Sequence, residues 1–161
     1  MELYVKEKLL SMHNKYHIYN EFGSLEYEIQ SKVISFGDKT TIYDKNGKEV
    51  AYIAQELLHL TSHYNVYIDN KLSYQIKKKF QFFKNDYELS NSYRVDGNVF
   101  NLNFNVYNDD NKLVASVNRK FLSIGDKYKI EIFDEKDLKT ILTIIVAITN
   151  DVDRAQSRSS N

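Results

Sequence analysis

Val117-Asn-Arg-Lys-Phe-Leu-Ser-Ile-Gly-Asp-Lys-Tyr-Lys-Ile130 is the stretch around which the chain organises, because the sequence slid against itself keeps returning to it. Val5 to Ile18 matches it without a gap, sharing Lys8, Ser11, Lys15, Tyr16 and Ile18 with Lys120, Ser123, Lys127, Tyr128 and Ile130. Ile29 to Ile42 repeats the turn, with Ser35-Phe36-Gly37-Asp38-Lys39 against Ser123-Ile124-Gly125-Asp126-Lys127. Two weaker copies follow: Ile53 to Val66 keeps Leu58 and Tyr64, and Ile76 to Leu89 keeps Lys79, Phe80 and Tyr87. Val95 to Val106 is a degenerate unit with a shorter turn around Asp96-Gly97-Asn98.

The starts at Val5, Ile29, Ile53 and Ile76 are 24, 24 and 23 residues apart, the length of two strands and two turns. Six hairpins in this rhythm predict twelve strands of an up-and-down antiparallel meander. Alternation places Tyr16/Ile18, Tyr64/Val66/Ile68 and Tyr128/Ile130/Ile132 on one face, with Leu25/Tyr27/Ile29, Ala51/Ile53, Leu72/Tyr74/Ile76 and Leu113/Ala115/Val117 on the partner strands. That face is the expected interior. The links, such as Asp44-Lys45-Asn46-Gly47-Lys48, Asp69-Asn70-Lys71 and Asp109-Asp110-Asn111-Lys112, carry residues that tolerate positive φ. All five glycines are assigned to turns, and the scarcity of Gly and absence of Pro, beside 13 Tyr and 9 Phe, suit pleated, half-buried strands.

A twelve-stranded sheet escapes open edges by closing, and its lumen is wider than side chains fill. One segment lacks alternation: Leu138-Lys-Thr-Ile-Leu-Thr-Ile-Ile-Val-Ala-Ile148. Its β-branched residues favour a buried strand by propensity. With the sheet already accounted for, it is read instead as a helix of about 14 residues and roughly 20 Å inside the barrel, since a helix apolar nearly all round is normally buried. The expectation is therefore a single domain over residues 1–150, with a central helix at about 137–150 and a flexible polar tail at 151–161. Asp134, Glu135 and Asp137 fall where acidic groups stabilise a helix N-terminus.

The units, the strand Leu113-Val-Ala-Ser-Val-Asn-Arg-Lys120, the strand Asp126-Lys-Tyr-Lys-Ile130 and the closing hydrophobic segment resemble the LURP-one-related proteins. These belong to the tubby C-terminal-like superfamily, together with the phospholipid scramblases. The resemblance implies a closed twelve-stranded antiparallel barrel around a C-terminal hydrophobic helix. It also implies relatives that bind phosphoinositides through basic residues, although no binding motif maps onto positions of this chain. The scramblases' calcium site and membrane-spanning helix are not expected here.

Composition limits the function classes. With 22 basic and 22 acidic residues no global charge draws the chain to nucleic acid, and with no Cys there is no disulfide, thiolate site or thiol nucleophile. Neither a signal-peptide core nor a transmembrane run stands out, so a cytoplasmic protein, at most peripheral to a membrane, is expected. No nucleophile elbow, phosphate loop or His-Glu-x-x-His occurs, and no cofactor or enzymatic activity is expected. His13/His17 and His59/His63 have the spacing of helical metal ligands but fall in or beside hairpin turns, so no metal site is expected. Carboxylate pairs such as Asp109-Asp110 are read as solvated turn residues.

Charge divides between the two ends. The hairpin-turn end collects lysines, the link end Asp and Glu. The densest basic stretch is Lys77-Lys78-Lys79-Phe80-Gln81-Phe82-Phe83-Lys84, and with Arg119 and Lys120 it is the candidate surface for anionic phospholipid headgroups. The alternative is a structural or protein-interaction module in which Phe80 is core and the lysines are solvated strand ends. A lumenal small-molecule carrier ranks below both, since the plug leaves little room.

Overall fold

The computed structural model describes residues 1–6, 15–34, 37–79, 86–119 and 126–159. Twelve strands follow in order: β1 (Glu2–Lys6), β2 (Lys15–Asn20), β3 (Leu25–Ile34), β4 (Gly37–Asp44), β5 (Glu49–Glu56), β6 (His63–Ile68), β7 (Lys71–Lys79), β8 (Asp86–Leu89), β9 (Arg94–Asn98), β10 (Asn103–Tyr107), β11 (Leu113–Asn118) and β12 (Asp126–Ile132). A short 3-10 turn at Val99–Asn101 joins β9 to β10, and one helix, α1 (Leu138–Ser159), ends the chain. The strands form one antiparallel sheet in the order β8-β7-β6-β5-β4-β3-β2-β1-β12-β11-β10-β9.

The repeat has a direct structural meaning. The first and last residues of each unit are cross-strand partners: Val5 and Ile18, Ile29 and Ile42, Ile53 and Val66, Ile76 and Leu89, Val95 and Val106, Val117 and Ile130. All but Val95 are buried. Six near-identical pairs therefore line the lumen, and hydrophobic pairing at this one level pins the register of every hairpin.

Alternation fails at Leu25, Leu72 and Leu113, which were expected inside; Leu25 and Leu72 are exposed and Leu113 is half-buried. The cause is a β-bulge that recurs at one place in four link hairpins. Partners jump from Ile18/Tyr27 to Tyr19/Leu25, from Ile42/Ala51 to Tyr43/Glu49, from Val66/Tyr74 to Tyr67/Leu72, and from Val106/Ala115 to Tyr107/Leu113. The unpaired extra residue shifts the side-chain phase by one and bends the strand, which helps a wide sheet to curl. Both phases are visible where Val50 and Ala51, or Val114 and Ala115, are buried in succession.

Three links share one turn. In each, an Asn or Asp side chain (Asn20, Asp44 or Asn108) accepts backbone N–H groups at 2.9–3.0 Å, and the left-handed position is taken by Gly23, Gly47 or Asn111. The β6–β7 link is a two-residue turn with Asp69 and Asn70 both at positive φ, as a primed hairpin turn requires.

The expected twelve-stranded antiparallel barrel around a C-terminal helix is present and nearly closed: among the described residues no ladder joins β8 to β9, and β9 holds Asp96-Gly97-Asn98, types poorly suited to strands. Two expectations are corrected. Gly97 is not in a turn. It lies within β9 opposite Phe104, where a Cβ would stand 2.8 Å from the Phe104 Cα, and the chain reverses later, at Val99–Leu102. Finally, α1 does not stop near residue 150. It continues to Ser159, so the segment expected to be a flexible tail is mostly helix, and the helix measures about 33 Å at 1.5 Å per residue.

Ile141 to Thr149 are all buried. The threonines in this run are compatible with a helix because their hydroxyls bond backward: Thr143 Oγ1 donates to the Lys139 carbonyl and Thr149 Oγ1 to that of Ile145, both at 2.9 Å. The acids ahead of α1 lie outside its first turn. Asp137 gives its carbonyl to Ile141 N and accepts from the Tyr93 hydroxyl at 2.8 Å, while Asp134 pairs with Lys112.

Candidate functional site

The N-terminal end of α1 lies at the link end, where Lys139 pairs with Asp69. Its C-terminal end emerges among the hairpin turns, where Gln156 Nε2 donates to the Phe100 carbonyl at 3.1 Å. The candidate site is this second end.

Its inner layer is polar and organised by the repeat. The tyrosine two residues before the end of a unit faces the helix in four units, and Thr40 takes that place in another. Tyr128 OH lies 3.2 Å from Thr149 Oγ1. Tyr16 OH donates to Asn150 Oδ1 at 3.2 Å, and Asn150 Nδ2 donates to Thr40 Oγ1 at 3.2 Å. Tyr64 OH donates to Asp151 Oδ1 at 2.7 Å and Tyr87 OH to Oδ2 at 2.8 Å. The remaining unit, Val95 to Val106, has Phe104 there and adds no hydroxyl.

Asp151 is the centre of this layer. Ser62 Oγ at 2.6 Å and Lys78 Nζ at 2.8 Å complete four donors on two oxygens, which is close to the capacity of a carboxylate. Burial alone would push its carboxyl up, but the bonds from Lys78, Ser62 and Tyr64 outweigh that and hold it below the ordinary value. Burial and the Asp151 charge push the Tyr64 and Tyr87 phenols far up, so both stay protonated donors. One turn on, Arg154 donates to Tyr64 OH at 2.7 Å and pairs with Asp38. Among the described residues no buried side-chain nitrogen or oxygen lacks a partner.

The outer layer holds the basic residues singled out by sequence. Alternation in β7 divides them: Ile76 and Lys78 point inward, Lys77 and Lys79 outward. Lys78 is thus part of the Asp151 network, its side chain only 20% exposed. Lys79 pairs with Glu88 at 3.5 Å across the β7–β8 ladder. Lys77 is exposed, sits opposite His63 and has no ion pair among the described residues. Arg119 is exposed just past β11. Lys84 and Lys120 lie outside the described residues, as do Phe80, Phe82 and Phe83.

Sequence reasoning missed three features of this end. Asp151 and Arg154 sit in the segment read as a tail, and only the recurring tyrosine hinted at a partner for them. Beside Lys77 and Lys79, the β5–β6 loop presents Leu57, Leu58 and Leu60 to solvent, Leu58 and Leu60 essentially completely at 103% and 106%. The loop is fastened to β7, since Lys78 N donates to the Ser62 carbonyl at 2.8 Å. Lastly, His59 and His63 meet after all: their rings stack at 3.8 Å beside Glu56, brought together by loop and strand rather than by helical spacing. His17 instead pairs with Glu28 at 3.0 Å on β2 and β3, and His13 lies outside the described residues.

Comparison with known proteins agrees with this architecture. YxjI of Bacillus subtilis (strain 168), itself uncharacterised, is 28% identical over 149 residues, covering 92% of this chain and 91% of YxjI. A protein of Arabidopsis thaliana solved by X-ray crystallography superposes with a TM-score of 0.65 at 19% identity, over 94% of this chain and 90% of that one, and so shares its fold. Among the described residues no helix is long and apolar enough to cross a membrane. A model of the LURP-one-related family matches residues 1–149, the whole barrel and the apolar half of its helix, and the chain belongs to that family.

Proposed function

We propose that the protein is a non-enzymatic binding domain whose hairpin-turn end docks on an anionic phospholipid surface, peripherally and from the cytoplasmic side. The observation that carries this reading is the juxtaposition of fully exposed Leu58 and Leu60, in the β5–β6 loop, with exposed Lys77 and Lys79 on β7, to which that loop is tied. Apolar side chains bare to water are costly in a free protein and useful at the headgroup boundary. Each flanking lysine contributes about 1 kcal/mol near an anionic surface. Arg119, Lys84 and Lys120 are proposed to extend the contact, whereas Lys78 would support it from within through Asp151.

Co-sedimentation with vesicles tests this. Vesicles containing phosphatidylserine should retain the protein in low salt and release it in high salt, and neutral vesicles should not retain it. The paired variants Lys77→Ala/Lys79→Ala and Leu58→Ser/Leu60→Ser should each weaken retention, both chosen to leave Lys78 and the folded core intact. Equal indifference to anionic and neutral vesicles overturns the lipid reading and leaves the protein-interaction module.

A further inference from the structure

We infer that Glu56, His59 and His63 form a binding site for a borderline divalent transition-metal ion, Zn2+ being the best match. Their ligand atoms all lie within 4.8 Å of one another. Three ligands about 2.0–2.1 Å from a tetrahedral ion would be roughly 3.4 Å apart, so closure needs only a small side-chain movement. Imidazole and carboxylate without thiolate suit Zn2+, Ni2+ or Cu2+ rather than Ca2+ or Mg2+.

The site is built by the fold. Glu56 ends β5 and His63 begins β6; the two are direct cross-strand partners, and both lie opposite in phase to buried Tyr64, so they project outward together. The chain reverses through Leu58, which has φ +73, and returns His59 over His63. His59 Nε2 is 3.2 Å from Glu56 Oε2. Behind them stands a relay that orients the carboxylate: Gln75 Nε2 donates to Asn65 Oδ1 at 2.9 Å, and Asn65 Nδ2 donates to Glu56 Oε1 at 2.6 Å. Such outer partners are what fix a metal-binding carboxylate. The other oxygen remains turned to the histidines.

The site does not depend on the membrane reading, and the experiment contains no vesicles.

Untagged protein titrated calorimetrically with Zn2+, and spectroscopically with Co2+, should bind one ion per chain, with a Co2+ spectrum showing nitrogen ligation. His59→Ala and His63→Ala should each abolish the spectrum, and Asn65→Ala should weaken binding about 10- to 100-fold. His17→Ala should bind as the parent does. Melting without metal shows whether each variant is folded, and Zn2+ should raise the melting temperature of the parent but not of folded His59→Ala, whose loop position is exposed. No binding by the parent, or binding unchanged in His59→Ala and His63→Ala, overturns the proposal.

Discussion

The two halves of α1 occupy the same lumen by opposite means. Leu138 to Ile148 is largely apolar and takes mostly hydrocarbon from the barrel, apart from the Lys139–Asp69 pair and the 2.6 Å bond between Thr143 Oγ1 and Tyr74 OH; Ile141, Ile144, Ile145 and Ile148 are fully buried among the unit-end residues of the strands. Thr149 to Arg154 is polar apart from buried Val152, and bonds from tyrosine, serine and lysine side chains of at least five strands or loops hold Thr149, Asn150 and Asp151 inside. The first half is bound by a non-directional effect proportional to area, the second by directional bonds that stabilise modestly when made and cost heavily when one partner is lost. One design tolerates reshaping; the other tolerates deletion poorly.

The contrast can be broken from either side. Ile145→Asp places an unpaired charge in the dry half and should cost at least about 4 kcal/mol, abolishing a cooperative melt by circular dichroism. A melt like the parent's would show that this half is not enclosed. Truncation after Thr149 removes the rest of the polar half, together with buried Val152, while sparing every apolar helix residue from Leu138 to Ile148. It strands Lys78, Tyr64 and Tyr87 at once and should destabilise more than any single substitution in that half; harmless truncation would mean those contacts hold nothing.

Asp151→Ala should lose about 3–5 kcal/mol in denaturant melts, since it leaves Lys78 buried without its carboxylate. Asp151→Asn with Lys78→Met should recover much of that loss. The same pair sets acid sensitivity. Asp151 has a folded-state pKa below its unfolded value, so its contribution is complete above about pH 4 and disappears as pH falls further through the folded value. A parent whose stability keeps this step when Asp151 is replaced by Asn would contradict the assignment.

Tyr87→Phe should cost only about 1–2 kcal/mol, because Asp151 retains three other donors. At the alkaline limit the sign reverses. The phenols of Tyr16, Tyr64, Tyr87 and Tyr128 are raised by burial, so their stabilisation is present below about pH 10 and is lost as pH rises and the unfolded chain ionises. Absorbance at 295 nm should show these groups titrating together with unfolding. The smallest effect belongs outside the lumen: Lys77→Ala should change stability by less than about 0.5 kcal/mol, which makes it a clean probe of surface binding.

Much of this was legible. Self-similarity located every hairpin, and the unit ends proved to be the paired lumenal residues. The repeat could not show the bulges, because an extra residue in a link leaves each unit internally unchanged while reversing the phase of Leu25, Leu72 and Leu113. The candidate site was legible in part. Lys77, Lys79 and Arg119 were visible as charge, but Lys78 reads identically in sequence and belongs to another layer. His59 and His63 were visible as a spacing that the strands made meaningless and the loop then restored.

By itself the sequence determined the number of strands, their order and the residues that pair at the core, because those follow from local alternation repeated six times. Only the tertiary structure decided where the helix ends. Asn150, Asp151 and Arg154 are hydrophilic in isolation and would be expected in water. They are enclosed because residues up to 134 positions away supply their hydrogen bonds, and no local pattern encodes a partner at that distance.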